Sequence, residues 1–209
     1  MMMSLRFAGR AGALLLAVIL PLAAAPARAA EDSAGFIADL GQRTIKVLAS
    51  KLSERERETQ FRVIFDEGFD VPAISRFVLG QYWRTASEAQ RQDFVALFEA
   101  YVVHAYAVRF NEYGGQQLQV IAARAEGDDS SLVQSRIAQP NGAPPLKVDW
   151  RVGKTAKGYK INDVVIEGVS MAVTQRQEFA SVIQRNGGQI DALLKLLREK
   201  AGQSAEAKG

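Results

Sequence analysis

Few residues of the chain have side chains that could bind a metal or take part in catalysis. The chain contains one histidine, His104, and no cysteine. A typical zinc site needs several nitrogen or sulfur ligands, so this composition does not supply one. Helical spacing places His104 beside Leu97 and Tyr101, at the edge of an apolar helix face, which indicates a packed or half-exposed helix residue. No metal or other cofactor is therefore expected.

A serine between a predicted strand and a predicted helix has a local sequence close to a nucleophile elbow. Gly168 and Ser170 match the first half of G-x-S-x-G, but Ala172 replaces the final glycine. The elbow also needs a histidine within reach and a mostly parallel sheet, whereas the turn spacing here predicts an antiparallel one. Ser170 is better interpreted as a helix N-cap, with Gly168 permitting the turn.

The carboxylates also lack a catalytic pattern. Asp149, Asp163 and Glu167 have no spacing that marks a glycosidase pair, and no glycine-rich loop could hold a phosphate. The sequence therefore does not favour an enzyme.

The first 29 residues have the composition of a secretory signal peptide. Arg6 and Arg10 precede a short apolar run at 11–20, and Ala27 and Ala29 stand at the two small-residue positions that signal peptidase reads. Cleavage is predicted after Ala29. The mature product is expected to be exported and soluble, because the apolar run is short and no cysteine could carry a lipid anchor.

Removal of this segment changes the charge balance. The chain has 26 basic and 23 acidic residues, and three arginines lie in the segment 1–29. The mature protein therefore has no formal net charge and lacks the clustered positive surface that nucleic-acid binding needs. Residues 30–201 are expected to form a single domain, followed by a polar, disordered tail at 202–209.

The mature sequence reads as helices, then strands, then helices, which predicts an α+β fold. Capping patterns predict helix starts after Ser33, Ser53 and Asp70. A capping box of Thr85 and Glu88 predicts the start of a long helix, which ends near Tyr113. From 116 to 166 the apolar period becomes two, with turns at hairpin spacing. This pattern predicts four strands in an antiparallel meander, and helix resumes after Ser170.

The predicted long helix is unusually apolar. Its apolar side chains cover about 200° of its circumference, more than an ordinary surface helix needs. They are Phe94, Leu97, Phe98, Tyr101, Val102, Ala105, Tyr106 and Val108. Two interpretations remain open from the residues alone: a well-covered core, or a cleft that helices and sheet leave for acyl chains.

Three segments carry a family resemblance. They are 78–92 (VLGQYWRTASEAQRQ), 140–152 (PNGAPPLKVDWRV) and 163–177 (DVVIEGVSMAVTQRQ). Together they resemble the MlaC/toluene-tolerance (Ttg2-type) family of periplasmic phospholipid-binding carriers in ABC-transport systems. The resemblance extends over essentially the whole mature chain.

This resemblance implies a small, strongly curved four-stranded antiparallel sheet, wrapped by helices around an internal lipid pocket. A bound phospholipid would be the cargo. The implied partners are an inner-membrane ABC transporter with an MCE-domain ring and an outer-membrane lipoprotein complex, and the carrier itself is expected to be a monomer. The expected pocket lining is Phe98, Tyr101, Val102, Tyr106, Leu118, Val120, Val148, Trp150, Ile161, Val164 and Ile166.

Three functions follow as hypotheses. The first is a periplasmic shuttle that carries phospholipid between the outer and inner membranes and maintains outer-membrane lipid asymmetry. The second is a carrier of a hopanoid or related lipid. The third, of a different class, is a periplasmic lipid hydrolase that uses Ser170.

Overall fold

A computed structural model describes residues 25–206 of the chain, except 108, 110 and 111. The described helices are α1 (Ala25–Leu48), α2 (Glu54–Gly68), α3 (Val71–Leu79), α4 (Tyr82–Thr85), α5 (Glu88–Ala107), α6 (Met171–Arg185) and α7 (Ile190–Glu206). The strands are β1 (Gln117–Ala125), β2 (Ser130–Ala138), β3 (Leu146–Thr155), β4 (Gly158–Ile166) and β5 (Val169–Ser170).

Most of the predicted signal peptide, residues 1–24, lies outside the described residues. Helix α1 begins at Ala25, before the predicted cleavage position at Ala29. At the other end of the chain, α7 continues to Glu206, so helical backbone extends into the segment 202–209 for which a tail is predicted.

Local capping sets several helix starts, as the sequence predicts. Ser53 and Glu56 form a reciprocal capping box at α2, which satisfies otherwise unpaired N–H groups of the first turn. The Asp70 side chain accepts from the N–H of Ala73 at α3, and the Ser170 side chain accepts from the N–H of Val173 at α6. These three predicted caps are confirmed, whereas the predicted cap Ser33 is wrong, because it lies inside α1 and its hydroxyl donates to the carbonyl of Ala30.

The predicted start of the long helix is wrong. Thr85 ends the short helix α4, where its hydroxyl donates to the carbonyl of Tyr82. The capping pair is instead Ser87 and Gln90, whose side chains each accept from the other residue's N–H. Helix α5 therefore starts at Glu88 and is described as far as Ala107, and residues 108, 110 and 111, before the predicted end near Tyr113, lie outside the described residues.

The sheet is an antiparallel meander in the order β1-β2-β3-β4-β5. The prediction of four strands misses β5, a two-residue strand that pairs Ser170 with Val165 after a tight turn. That turn places Glu167 and Gly168 at positive φ, a conformation that glycine adopts without strain. A strand of two residues shows no alternation, so periodicity does not reveal it.

The sheet is curved and presents one apolar face, called here the inner face. Register shifts interrupt the β1–β2 ladder after Val120 and the β3–β4 ladder after Arg151. Each extra residue bends its strand and increases the local twist, which curves the sheet. The opposite, outer face carries charged residues that include Arg136, Lys147 and Arg151.

Helix α1 packs closely on the inner face. Gly41 of α1 lies against Leu118 of β1, so closely that a Cβ at position 41 would overlap the leucine side chain. Gly68, at the end of α2, lies against Leu40 of α1, and a Cβ there would come within 2.8 Å of a leucine methyl. A side chain at either position would therefore require the facing leucine side chain to move.

Buried residues form two main cores. The sheet core joins α1, α2 and the inner face and comprises Ile37, Leu40, Ile64, Val133, Val152 and Ile161. The helical core joins α3, α5, α6 and α7 around the rings of Phe94, Phe98 and Phe179. A small third cluster of Phe65, Val71 and Val103 lies between them.

Candidate functional site

The structure places all seven of the predicted lining residues from the sheet on its inner face. Strand pairing shows this directly, because residues paired across antiparallel strands point to the same side of the sheet. Val120 and Ile166 share the row of Val148, Val164 pairs with Trp150, Ile161 pairs with Val152, and Leu118 lies in the row of Leu146. The inner face is thus mainly apolar, with Ser131 and Ser135 among its side chains.

The other four predicted lining residues lie on α5. Phe98 is buried in the helical core, where its ring packs against Phe94 and Phe179. Tyr101 and Val102 are partly buried against the same core. Tyr106, one turn further on, is 38% exposed. Phe98 therefore belongs to a filled core, whereas the residues towards the end of α5 keep contact with solvent.

Burial also divides the residues of the sheet. Val148 and Ile161 are almost fully buried, while Val120, Trp150 and Val164 are only partly buried. These large apolar side chains remain partly accessible although the neighbouring cores are closed. Their exposure indicates that the apolar surface is incompletely covered. Leu118 is a special case, since it closes against Gly41 of α1.

A buried hydrogen-bond chain fixes Trp150 on the inner face. The indole N–H donates to the hydroxyl of Ser135 at 2.9 Å, and that hydroxyl donates to the carbonyl of Val148 at 2.7 Å. Buried indole N–H groups need such a partner. The ring is therefore held as a flat apolar wall, and its orientation is set by the sheet.

Two tyrosines on α5 have phenol groups that are partly desolvated. Desolvation raises the pKa of the Tyr106 phenol, although the nearby Arg109 lowers it, and Tyr106 nevertheless keeps solvent contact. Desolvation also raises the pKa of Tyr101, with smaller contributions from Glu178 and Tyr106.

Phe69 is a residue that the sequence interpretation missed. Its side chain packs against the sheet core, the helical core and the third cluster, and its ring stacks on Phe65 at 4.4 Å. The following N–H, of Asp70, donates to the carbonyl of Ile161 at 3.0 Å, which ties the α2–α3 junction to β4. Phe69 stands between two helices, so no periodic pattern could identify its contacts.

On the outer face, Asp163 of β4 holds the start of α6. Its carboxylate accepts from the Ser170 hydroxyl at 2.6 Å, from the N–H of Ala172 at 3.0 Å and from the Arg151 guanidinium at 3.0 Å. A carboxylate at a helix N-terminus also interacts favourably with the helix dipole. This network joins α6, a helix of the helical core, to the sheet.

The same network assigns a structural role to Ser170. Its oxygen donates to Asp163 and accepts from the N–H of Val173, so it is engaged as a cap and as an anchor. Its hydrogen-bonding partners include no histidine, and His104, the single histidine of the sequence, belongs to α5. Within the described part of the chain, no cluster of three or more His, Cys, Asp or Glu side chains could hold a metal ion.

We expect Ser170→Ala to lower the free energy of unfolding by about 1–2 kcal/mol, since it removes one cap and one hydrogen bond to a carboxylate. Chemical denaturation measures this loss. The variant should leave bound lipid unhydrolysed and its quantity unchanged. A lipid-cleaving activity that is present in the wild type and lost in the variant would contradict the structural role.

Fold and site together define a class of protein: an α+β domain in which helices cover one curved antiparallel sheet and leave part of its apolar face accessible. The protein family described as MlaC protein matches residues 38–199. This match extends over most of the sequence, and the chain belongs to the MlaC family.

Three similar proteins support the assignment. The chain is 29% identical over 129 residues to the Intermembrane phospholipid transport system binding protein MlaC of Haemophilus influenzae, covering 60% of this chain and 59% of that protein. It is 28% identical over 140 residues to the Toluene tolerance protein ttg2D of Pseudomonas putida, covering 66% and 63%. The aligned region thus spans less than two thirds of each of these relatives.

A solved structure that the chain resembles is a phospholipid-binding protein from Ralstonia solanacearum in complex with a phospholipid. It superposes with a TM-score of 0.63 at 26% identity, covering 88% of this chain and all of that one. No helix in the described ranges is long and apolar enough to span a membrane.

Proposed function

We propose that this protein is a periplasmic phospholipid carrier. The acyl chains of the bound phospholipid lie against the inner face of the sheet. One observation carries the proposal: seven apolar side chains of the sheet share that face, and Val120, Trp150 and Val164 among them remain partly accessible. The names of the relatives, a phospholipid transport binding protein and a phospholipid complex, support this choice of ligand.

In this proposal the protein shuttles phospholipid between the outer and inner membranes and so maintains outer-membrane lipid asymmetry. An inner-membrane ABC transporter with an MCE-domain ring and an outer-membrane lipoprotein complex are its proposed partners. The energetics require partners, because burial of acyl chains contributes about 0.8 kcal/mol per methylene. Two chains with some thirty methylenes would approach the practical limit of non-covalent affinity, roughly 20 kcal/mol. Such a lipid would not leave without assistance.

The hydrocarbon-binding surface does not by itself select a headgroup. A hopanoid or related polycyclic lipid remains the alternative cargo, since the inner face offers apolar contact without a described polar pattern that excludes a rigid ring system. A lipid hydrolase is less well supported, because Ser170 is committed to Asp163 and to the cap of α6.

Native mass spectrometry and organic extraction of the mature protein, purified from its own host, test the proposal. We expect about one diacyl phospholipid per protein molecule, since the acyl chains outweigh the cost of immobilising the lipid. A stoichiometric hopanoid would transfer the proposal to the second cargo. Protein that is empty and does not take up either lipid would refute a carrier function.

A further inference from the structure

Helix α3 presents a solvent-exposed face of unusual composition. One side of the helix is buried in the helical core, and the exposed side consists of Pro72, Ala73, Arg76 and Phe77. Phe77 is 42% exposed although it is a large aromatic residue. The exposed side therefore combines apolar groups with a single arginine and has no carboxylate.

Helix α6 continues this surface. The guanidinium of Arg176 lies 5.1 Å from the ring centroid of Phe77, so the two helices meet at these side chains. Val173 precedes Arg176 by about one turn of α6. It is 42% exposed. The α3–α6 patch is defined here as Arg76, Phe77, Val173 and Arg176.

The charged side chains of the patch are all arginines. Segments 71–85 and 171–177 contain three arginines and no aspartate or glutamate. Among the described residues, neither Arg76 nor Arg176 has an ion-pair partner. An arginine held beside an aromatic ring and left without a carboxylate is complementary to a surface that supplies carboxylates.

The composition favours a protein over a bilayer as the occupant. Protein–protein interfaces are enriched in aromatic residues and arginine and depleted of lysine, aspartate and glutamate, and the patch has this composition. Valine contributes shape and apolar area, but it is a weak membrane anchor compared with tryptophan or tyrosine. A single phenylalanine flanked by arginines matches the anchor residue of an interface.

We propose that the α3–α6 patch is the docking surface for a protein component of the lipid transport system, one that presents an apolar pocket bordered by carboxylates. This inference rests on the proposed carrier function. The location adds a reason for docking there, because Asp163 ties the start of α6 to the sheet. A partner bound at α6 would act on the element that joins the helical core to the lipid-facing sheet.

The test measures transfer of a fluorescent phospholipid from the loaded protein to three acceptors. They are native membrane vesicles of the host, the same vesicles after protease treatment, and liposomes of the extracted lipids. The variants are Phe77→Glu and Arg176→Glu. Val63→Glu is the matched control, since Val63 is 49% exposed on α2 and lies outside the patch.

We expect wild-type protein and Val63→Glu to transfer lipid to native vesicles only. Phe77→Glu should slow this transfer about tenfold or more, as loss of an anchor residue does at an interface. Arg176→Glu should slow it as well, and added salt should slow the wild type. Lipid content and unfolding temperature should be the same for all variants, because the changed side chains are exposed.

Three results would overturn the docking surface. They are unchanged transfer by Phe77→Glu, an equal loss in Val63→Glu, and transfer to liposomes with the same sensitivity to Phe77→Glu, which would identify a bilayer as the occupant. Wild-type protein that cannot be loaded with lipid would instead refute the carrier function, and the docking surface with it. These failures are distinguishable, because the last appears before any variant is compared.

Discussion

Val164→Trp is expected to reduce phospholipid binding strongly while the protein stays folded. Val164 lies on the inner face opposite Trp150 and is only partly buried, so a larger side chain extends into the space assigned to acyl chains. If the indole displaces two or three methylenes, the loss is about 2 kcal/mol, or roughly 30-fold in affinity. Native mass spectrometry at limiting phospholipid measures the change.

Val165→Trp is the matched control. Val165 is the next residue of β4, is also partly buried, and points to the outer face between Asp149 and Ser170. Both variants carry the same overpacking cost, typically about 1–3 kcal/mol, so denaturation should affect them comparably. Equal lipid occupancy in the two variants would show that the inner face is not the lipid surface.

Asp163→Ala is expected to be the most destabilising single change outside the two cores. It removes the acceptor for Ser170, Ala172 and Arg151. The first two donors lose this partner, while Arg151 keeps its ion pair with Glu126. Removal of one partner from a buried charge network typically costs about 3–5 kcal/mol. The exposed position of Arg151 places the expected loss near the lower end of this range. Chemical denaturation measures it.

A double-mutant cycle separates the hydrogen bond from the rest of the network. If Ser170 acts through Asp163, the double variant should be less destabilised than the sum of the single changes, because the same interaction is lost only once. Asp163→Asn should lie between wild type and Asp163→Ala, since its carbonyl oxygen can still accept from Ala172. Additive losses would mean that the two residues stabilise α6 independently.

Local rules predicted the parts of the fold that depend on a few neighbouring residues. Ser53, Asp70 and Ser170 cap helices because a short polar side chain reaches an N–H two or three residues ahead. The period-two pattern likewise placed Val148 and Trp150 on one face. These features need no information from distant parts of the chain.

The start of α5 shows where local rules fail. Thr85 with Glu88 and Ser87 with Gln90 are overlapping capping patterns two residues apart, and both satisfy the sequence rule. Contacts outside the pattern select the second pair: Arg91 donates to the carbonyl of Trp83, and Gln90 donates to Asp191 of α7. The local sequence therefore cannot predict which of the two capping pairs forms, because that depends on contacts with a distant helix.

The sequence predicted only part of the candidate site, because the rest depends on contacts between distant elements. Alternation identified a shared face, but it could not distinguish residues that close against a helix from those that remain accessible. Leu118 packs on Gly41, whereas Val164 stays partly open. Phe69 contacts three separate clusters, and each contact depends on tertiary packing.

Gly41 and Gly68 have a mechanical consequence for the carrier. Their contacts bring α1 so close to β1 and α2 that this side of the protein has little freedom to separate without loss of packed apolar area. The inner-face side chains of Val120, Trp150 and Val164 instead remain partly accessible. The α1 side of the sheet is therefore the more tightly packed one, and in the proposed carrier a lipid would be accommodated at the partly accessible side chains.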